Sequence, residues 1–268
     1  MIHQTASIDP RATIGAGVSV GPFCTVGPDV VLEDGVELVS HVVVDGHTRI
    51  GAGTTVFPFA TIGLAPQDLK YKGEPTRTEL GPNCVIREHC TIHRGTVTGT
   101  GITRVGAGCL LMAVVHVAHD CALGENIVIA NNVVMGGHVE IADRAIIGGA
   151  TAIHQFVRIG TGAMVGGASG VEADVIPYGS VIGNRARLHG LNIVGLRRRG
   201  LDKEGQHRLR NAYRLLFQGE GTFAARVEAL RGGAGDDPYL AEILAFIDAP
   251  SKRGLIRSTT RHGDDAEA

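Results

Sequence analysis

Apolar residues return at every sixth position along most of this chain, and that spacing limits the folds open to it. One run is Ile8, Ile14, Val20, Val26, Leu32, Leu38, Val44, Ile50, Val56 and Ile62. A short run follows at Leu80, Ile86 and Ile92. The longest joins Val105, Leu111, Val117, Leu123, Ile129, Met135, Ile141, Ile147, Ile153, Ile159, Val165 and Val171. Neither an amphipathic helix nor an alternating strand holds that phase. Six-residue repeats mark a parallel β-helix, in which each repeat is a short strand and a turn, and stacked coils share one continuous core.

Four positions after an apolar residue the side chain is usually small, as at Cys24, Ala60, Cys84, Cys90, Cys109, Cys121, Ala145, Thr151, Ala163 and Ser169. A narrow, close-packed interior explains that choice. It also explains an aromatic content of only 4% and the absence of Trp. All five cysteines occupy the small inward position. They read as buried packing thiols rather than metal ligands or nucleophiles. An odd count without a secretory signal points to a reducing compartment, the cytoplasm. A formal charge of −2 excludes a globally basic nucleic-acid binder, and no apolar stretch is long enough to span a membrane.

The repeat breaks twice, at 64–78 (LAPQDLKYKGEPTRT) and at 95–103 (GTVTGTGIT). Insertions in a solenoid tend to gather on one face, often the binding face. After Val171 the period fades. The β-helix is expected to fill 1–186, with an α-helical domain over 187–257 and a polar, disordered tail over 258–268. The pattern turns helical from Leu188, with further helices at Thr222–Leu230 and Tyr239–Ile247. Nine Lys and Arg against two acids between Arg185 and Arg214 make that stretch locally basic. It suits phosphate or an acidic protein.

If three sides close a coil, residues eighteen apart stack about 4.8 Å from one another. His119, Gly137 with His138, and His154 with Gln155 then form one ridge over three coils, with His116 nearby. None holds the inward apolar phase. Two chemistries fit such a ridge. Stacked imidazoles can bind a metal such as zinc. Alternatively one is a general base, oriented by Asp120, with the Gly137 N–H offered to an oxyanion.

The strings VGPFCTVGP, SHVVVDGHTRIG, QDLKYKGEPT, TIHRGT, HVAHD, IIGGATAIHQF, MVGGASGV and GLRRRG identify a resemblance. The chain resembles the UDP-N-acetylglucosamine O-acyltransferases, hexapeptide-repeat enzymes that open lipid A synthesis, from Met1 to about Arg257. The resemblance implies a left-handed coil, although parallel crossovers are normally right-handed. It also implies a homotrimer with active sites between subunits, and it requires no cofactor and no metal. The partners it implies are a 3-hydroxyacyl carrier protein and UDP-N-acetylglucosamine.

Residue roles follow from the same resemblance. His119 matches the general base, Asp120 its orienting partner and Gly137 the oxyanion donor. His116, His138, His154 and Gln155 match the cleft lining, and Gln67, Asp68 and Lys70 match residues that contact the sugar or shape the cleft. Asn192, Arg198 and Arg199 match the nucleotide end, where paired guanidiniums suit pyrophosphate. Gly167 matches the acyl-length ruler. Val194 replaces an acidic residue common near the nucleotide, and Arg185 stands where some members carry His. Three rivals compete with this reading. The sister N-acyltransferase would carry an extra N-terminal domain, whereas repeats here begin at Ile8. A γ-class carbonic-anhydrase-like enzyme would hold zinc on the histidines. A purely structural solenoid gives no reason for the polar ridge.

Overall fold

The computed structural model describes residues 1–258. Three sheets of nine, eight and ten strands wrap one core; they are parallel, with neighbours three strands apart in the chain, except at the C-terminal end of the ten-stranded sheet. Each coil therefore visits all three sheets once. Most strands are two residues long, as at Leu110–Leu111, Val128–Ile129 and Ile146–Ile147. Ile129 pairs with Leu111 on one side and Ile147 on the other, a step of eighteen residues. The second residue of each strand turns inward, and Leu111, Ile129 and Ile147 are fully buried. Each such side chain is worth about 1.5–3 kcal/mol relative to exposure. The coil is a left-handed parallel β-helix, as expected. All five cysteines are buried free thiols, in the small inward position.

Both insertions are shorter than their sequence suggests. Strand Thr61–Leu64 includes Leu64, and strand Arg77–Leu80 resumes before Thr78. The first excursion is thus 65–76. The second is 94–101, between Thr91–His93 and Ile102–Val105. Flanking polar residues extend the strands because backbone pairing there does not depend on side-chain hydropathy.

The helical reading from Leu188 is corrected. Arg187–Leu191 is a strand, paired antiparallel with Gly179–Ile182. Buried Leu188 belongs to the coil core. Helices follow as α1 (Ile193–Arg198), α2 (Lys203–Gln218), α3 (Phe223–Gly233) and α4 (Pro238–Asp248). Asn192, Asp202, Thr222 and Asp237 cap their N-termini by accepting backbone N–H groups. These helices bury Leu196, Leu209, Leu216, Val227, Leu230, Leu240 and Ile243 in a second core. After α4 the chain returns to the coils, where Leu255 bridges Asp174 and Ile256 enters the coil core. The tail expected after residue 257 lies, from 259 onward, outside the described residues.

Candidate active site

Both insertions leave the nine-stranded sheet and re-enter the eight-stranded one, so they replace the same corner on successive coils. The next coil carries His119 and Asp120 at that corner, between strands His116–Val117 and Ala122–Leu123. Asp120, His138 and Phe156, eighteen residues apart, each close their turn in the left-handed region, with φ of 59°, 61° and 65°. Their side chains stack along the outside of the corner. Phe156 lies on His138 at 4.5 Å between ring centroids, and His138 meets the His119 ring edge-on at 5.2 Å.

Asp120 is 4% exposed yet densely hydrogen-bonded. His119 Nδ1 lies 2.8 Å from its Oδ2. The second insertion wraps the rest of the carboxylate. The N–H and Oγ of Thr96, the N–H and Oγ of Thr100 and the N–H of Gly101 all donate to it, at 2.7–3.1 Å. Burial by itself would raise the Asp120 pKa. The hydrogen bonds from His119, Thr96 and Thr100 outweigh it and hold the carboxyl well below its usual range. An ionised carboxylate only accepts, so Nδ1 of His119 carries the proton and Nε2 presents a lone pair.

The other imidazoles cluster below. His116 Nδ1 is 2.6 Å from Thr91 Oγ1, and its ring meets His93 edge-on at 4.9 Å. Burial, then His116 and His119, push His93 down to about 4. Burial followed by His119 lowers His116, and burial is the main cause at His138. His93, His116 and His138 thus favour the neutral form. His119, Asp120 and His138 offer donor atoms within 4.8 Å of one another, a spacing that a metal ion would accept. The Asp120 oxygens are already committed to protein donors, so this donor set fits an oriented acid–base pair better than a metal centre. A cavity of about 350 Å³ opens beside the corner, lined by Asp120, His138, Phe156, Thr100 and Lys252 among others.

A family model described as bacterial transferase hexapeptide (six repeats) matches residues 11–46. A second, described as domain 2 of Udp N-acetylglucosamine O-acyltransferase, matches residues 174–256. An acyl-[acyl-carrier-protein]--UDP-N-acetylglucosamine O-acyltransferase from Azorhizobium caulinodans is 52% identical over 95% of this chain and 94% of its own length. The chain belongs to the UDP-N-acetylglucosamine O-acyltransferase family. The family protein of the same name from Brucella ovis is 45% identical over 94% of this chain and 91% of its own. A crystal structure of the family enzyme from Moraxella catarrhalis superposes with a TM-score of 0.92 at 44% identity, covering 96% of this chain and 99% of that one. The domain 2 match opens at Asp174 rather than at 187. It closes at Ile256, whose N–H donates to the Asp174 carbonyl.

The structure brings some site candidates together and leaves others apart. His116, His119, Asp120, Gly137 and His138 share one corner. The His119 ring occupies the space beside Gly137, and the Gly137 N–H donates to no group among the described residues. Asp68 and Lys70 pair at 3.4 Å on the first insertion, with Gln67 exposed beside them. Asp68 and Lys70 lie within electrostatic reach of the histidines: His119 helps to lower Asp68, after the Lys70 backbone N–H, and Lys70 helps to lower His138. His154 is exposed, and among the described residues its ring bonds only the Gln155 carbonyl. Asn192 caps α1 and also donates to the Gly162 carbonyl. Arg199 lies against Tyr178, while Arg198, Arg185 and Val194 are exposed. Gly167 sits on another corner, over Gly149. No contact among the described residues joins these last groups to His119.

Sequence reasoning missed His93, Thr96 and Thr100. Thr91 pairs with His116, twenty-five residues on instead of eighteen, so the second insertion hid His93 from the column. The threonines lay in plain view within GTVTGTGIT, but nothing in their spacing points to a carboxylate.

Proposed function

We propose that this chain transfers a 3-hydroxyacyl group from acyl carrier protein to the 3-hydroxyl of UDP-N-acetylglucosamine, the first step of lipid A synthesis. The oriented His119–Asp120 pair carries the reading, with Nε2 of His119 free to take a proton. The sugar hydroxyl oxygen attacks the thioester carbonyl carbon, and its proton passes to Nε2 of His119. A C–O bond forms, and the Gly137 N–H donates to the carbonyl oxygen as it gains charge. Collapse breaks the C–S bond, and the imidazolium returns its proton to the departing thiolate. No covalent acyl-enzyme intervenes, because the substrate supplies the nucleophile. Asp120 stabilises the imidazolium and fixes the tautomer.

Asp68 and Lys70, with Gln67, take the sugar from the first insertion, and His116, His138, His154 and Gln155 line the cleft. Asn192, Arg198 and Arg199 belong to the nucleotide end, and Gly167 to the acyl groove. Their separation from His119 within one chain supports a homotrimer, in which the neighbouring subunit closes the cleft. The β-helix and the helical region act as two domains of one cytoplasmic enzyme. No described helix is long and apolar enough to cross a membrane.

The test offers purified enzyme several 3-hydroxyacyl carrier proteins with UDP-N-acetylglucosamine and reads product mass. His119→Ala is expected to lower the rate roughly 10²–10⁴-fold, the usual scale for a general base. Near-normal turnover by that variant removes the base, and no ester from any donor removes the reaction.

A further inference from the structure

The segment after α4 reaches the active corner from outside the repeat. The Asp174 N–H donates to the Gly254 carbonyl, and the Ile256 N–H donates back to the Asp174 carbonyl. This strap is therefore hydrogen-bonded to the coil wall and anchored by buried Ile256. Ser251 Oγ accepts the N–H groups of Arg253 and Gly254, forming a tight turn. Arg253 Nε donates to the Gln155 carbonyl at 2.8 Å. These bonds fix the backbone on either side of Lys252. Its Nζ then sits 4.1 Å from the centroid of Phe156.

Phe156 is the middle of a chain of contacts. One ring face meets the Lys252 ammonium, and the ring stacks on His138 with only 9° between planes. His138 in turn stands at 89° to His119. Its Nε2 is 4.0 Å from Asp120 Oδ2. Phe156 holds φ of 65°, a left-handed conformation uncommon for a bulky residue. The coil's turn supplies it, since Phe23, Phe59 and His138 hold the same conformation at their own corners. The turn aims the ring, and the Lys252 ammonium over its face holds the ring's tilt.

We propose that Lys252 is a positioning residue for the transfer reaction, holding Phe156 flat on His138 so that His138 keeps its edge against His119. The role rests on His119 being the general base. Lys252 touches neither the reacting atoms nor His119. It acts through two rings, and it ties the helical region to the corner where the proton moves. Without the ammonium, Phe156 is free to tilt, His138 loses its parallel partner, and the His119 ring loses one wall of its seat.

The test is steady-state kinetics of Lys252→Met, Lys252→Arg and Phe156→Leu on the full chain, with thermal unfolding recorded for each. Lys252→Met is expected to lower kcat about tenfold while KM for both substrates moves less than about twofold, as for a lost alignment rather than a lost substrate contact. Lys252→Arg keeps a cation over the ring and restores kcat to within about twofold. In a Phe156→Leu background, Lys252→Met is expected to cost nothing further, because the two act in series. An unchanged kcat, an effect confined to KM, failure of the Arg variant to restore turnover, or fully additive losses would each overturn the assignment. His119→Ala, assayed alongside, keeps the two readings apart. Turnover surviving in His119→Ala removes the base. Its loss there, with Lys252→Met unaffected, removes only the role of Lys252.

Discussion

The His119 imidazole fills the space that a side chain at Gly137 would need: a Cβ built there lies 2.5 Å from His119 Cε1 and 2.7 Å from Nε2. Gly137 is therefore required by the ring above it, quite apart from any oxyanion. Gly137→Ala is expected to swing His119 off Asp120 and lower kcat about 10²-fold, since catalytic geometry tolerates little displacement. Thermal stability should hardly change. Wild-type turnover in the alanine variant contradicts the crowding.

Acid should loosen this fold partly through His93. The unfolded residue takes a proton near 6.5, whereas the buried folded one does so only near 4. Across that window the unfolded state binds more protons, so stability is complete at neutral pH and falls as pH drops from about 6.5 to about 4. His116 and His138 are shifted in the same direction. Asp120 adds its own loss only below about 3.8, where the unfolded carboxyl takes up a proton that the hydrogen-bonded folded one does not. His93→Gln is expected to shrink the gap between denaturation midpoints at about pH 7.5 and about pH 4.5. An identical gap would place the acid sensitivity elsewhere.

Asp174 is fully buried and holds Arg158 Nε at 2.7 Å. Asp174→Ala strands the Arg158 guanidinium against the ring and carbonyl of Phe246. The expected loss is roughly 3–5 kcal/mol, the cost of breaking a buried pair from one side. Adding Arg158→Met should recover part of it. Limited proteolysis should cut first in the strap near 250–256, and resistance equal to wild type would show that the pair is not its anchor.

Gly167 tests the acyl ruler. A Cβ there comes 3.2 Å from the Gly149 carbonyl oxygen, so any longer side chain must lean out from the corner. Gly167→Met is expected to shift the product profile toward shorter chains, by about tenfold in preference, because one or two methylenes in an apolar slot carry that much discrimination. Mass analysis of products from mixed donors reads it directly. An unaltered profile moves the groove's end away from this residue.

The coil was legible because every inward residue repeats a phase: Ile129 and Ile147 occupy their strands as the spacing requires. His119 and His138 were legible for nearly the same reason: His138 lies one coil, eighteen residues, from Asp120, and His119 precedes Asp120 on its turn. His154 lacks the corner contacts because it sits two residues before Phe156, which holds the register position one coil on from His138. His93 needed the insertion length to be known. The strap needed more, since nothing periodic in SKRGLI reveals that it crosses back to Asp174 and Phe156. Arg187–Leu191 read as helical because its RLHGL pattern carries little periodicity, and its pairing with Gly179–Ile182 decided it.

The Thr96–Gly101 loop makes the anion beside His119 dependent on a stretch that obeys no six-residue rhythm. Coils toward the N-terminus depend on the six-residue phase alone for their core, whereas the cradle also rests on the coil beneath it, through the Gly95 N–H to the Arg77 carbonyl. Losing a single residue from the loop pulls its donors out of reach. Length in this architecture is thus forgiving along the rod and unforgiving at one knot, which is where engineering of the scaffold must not cut.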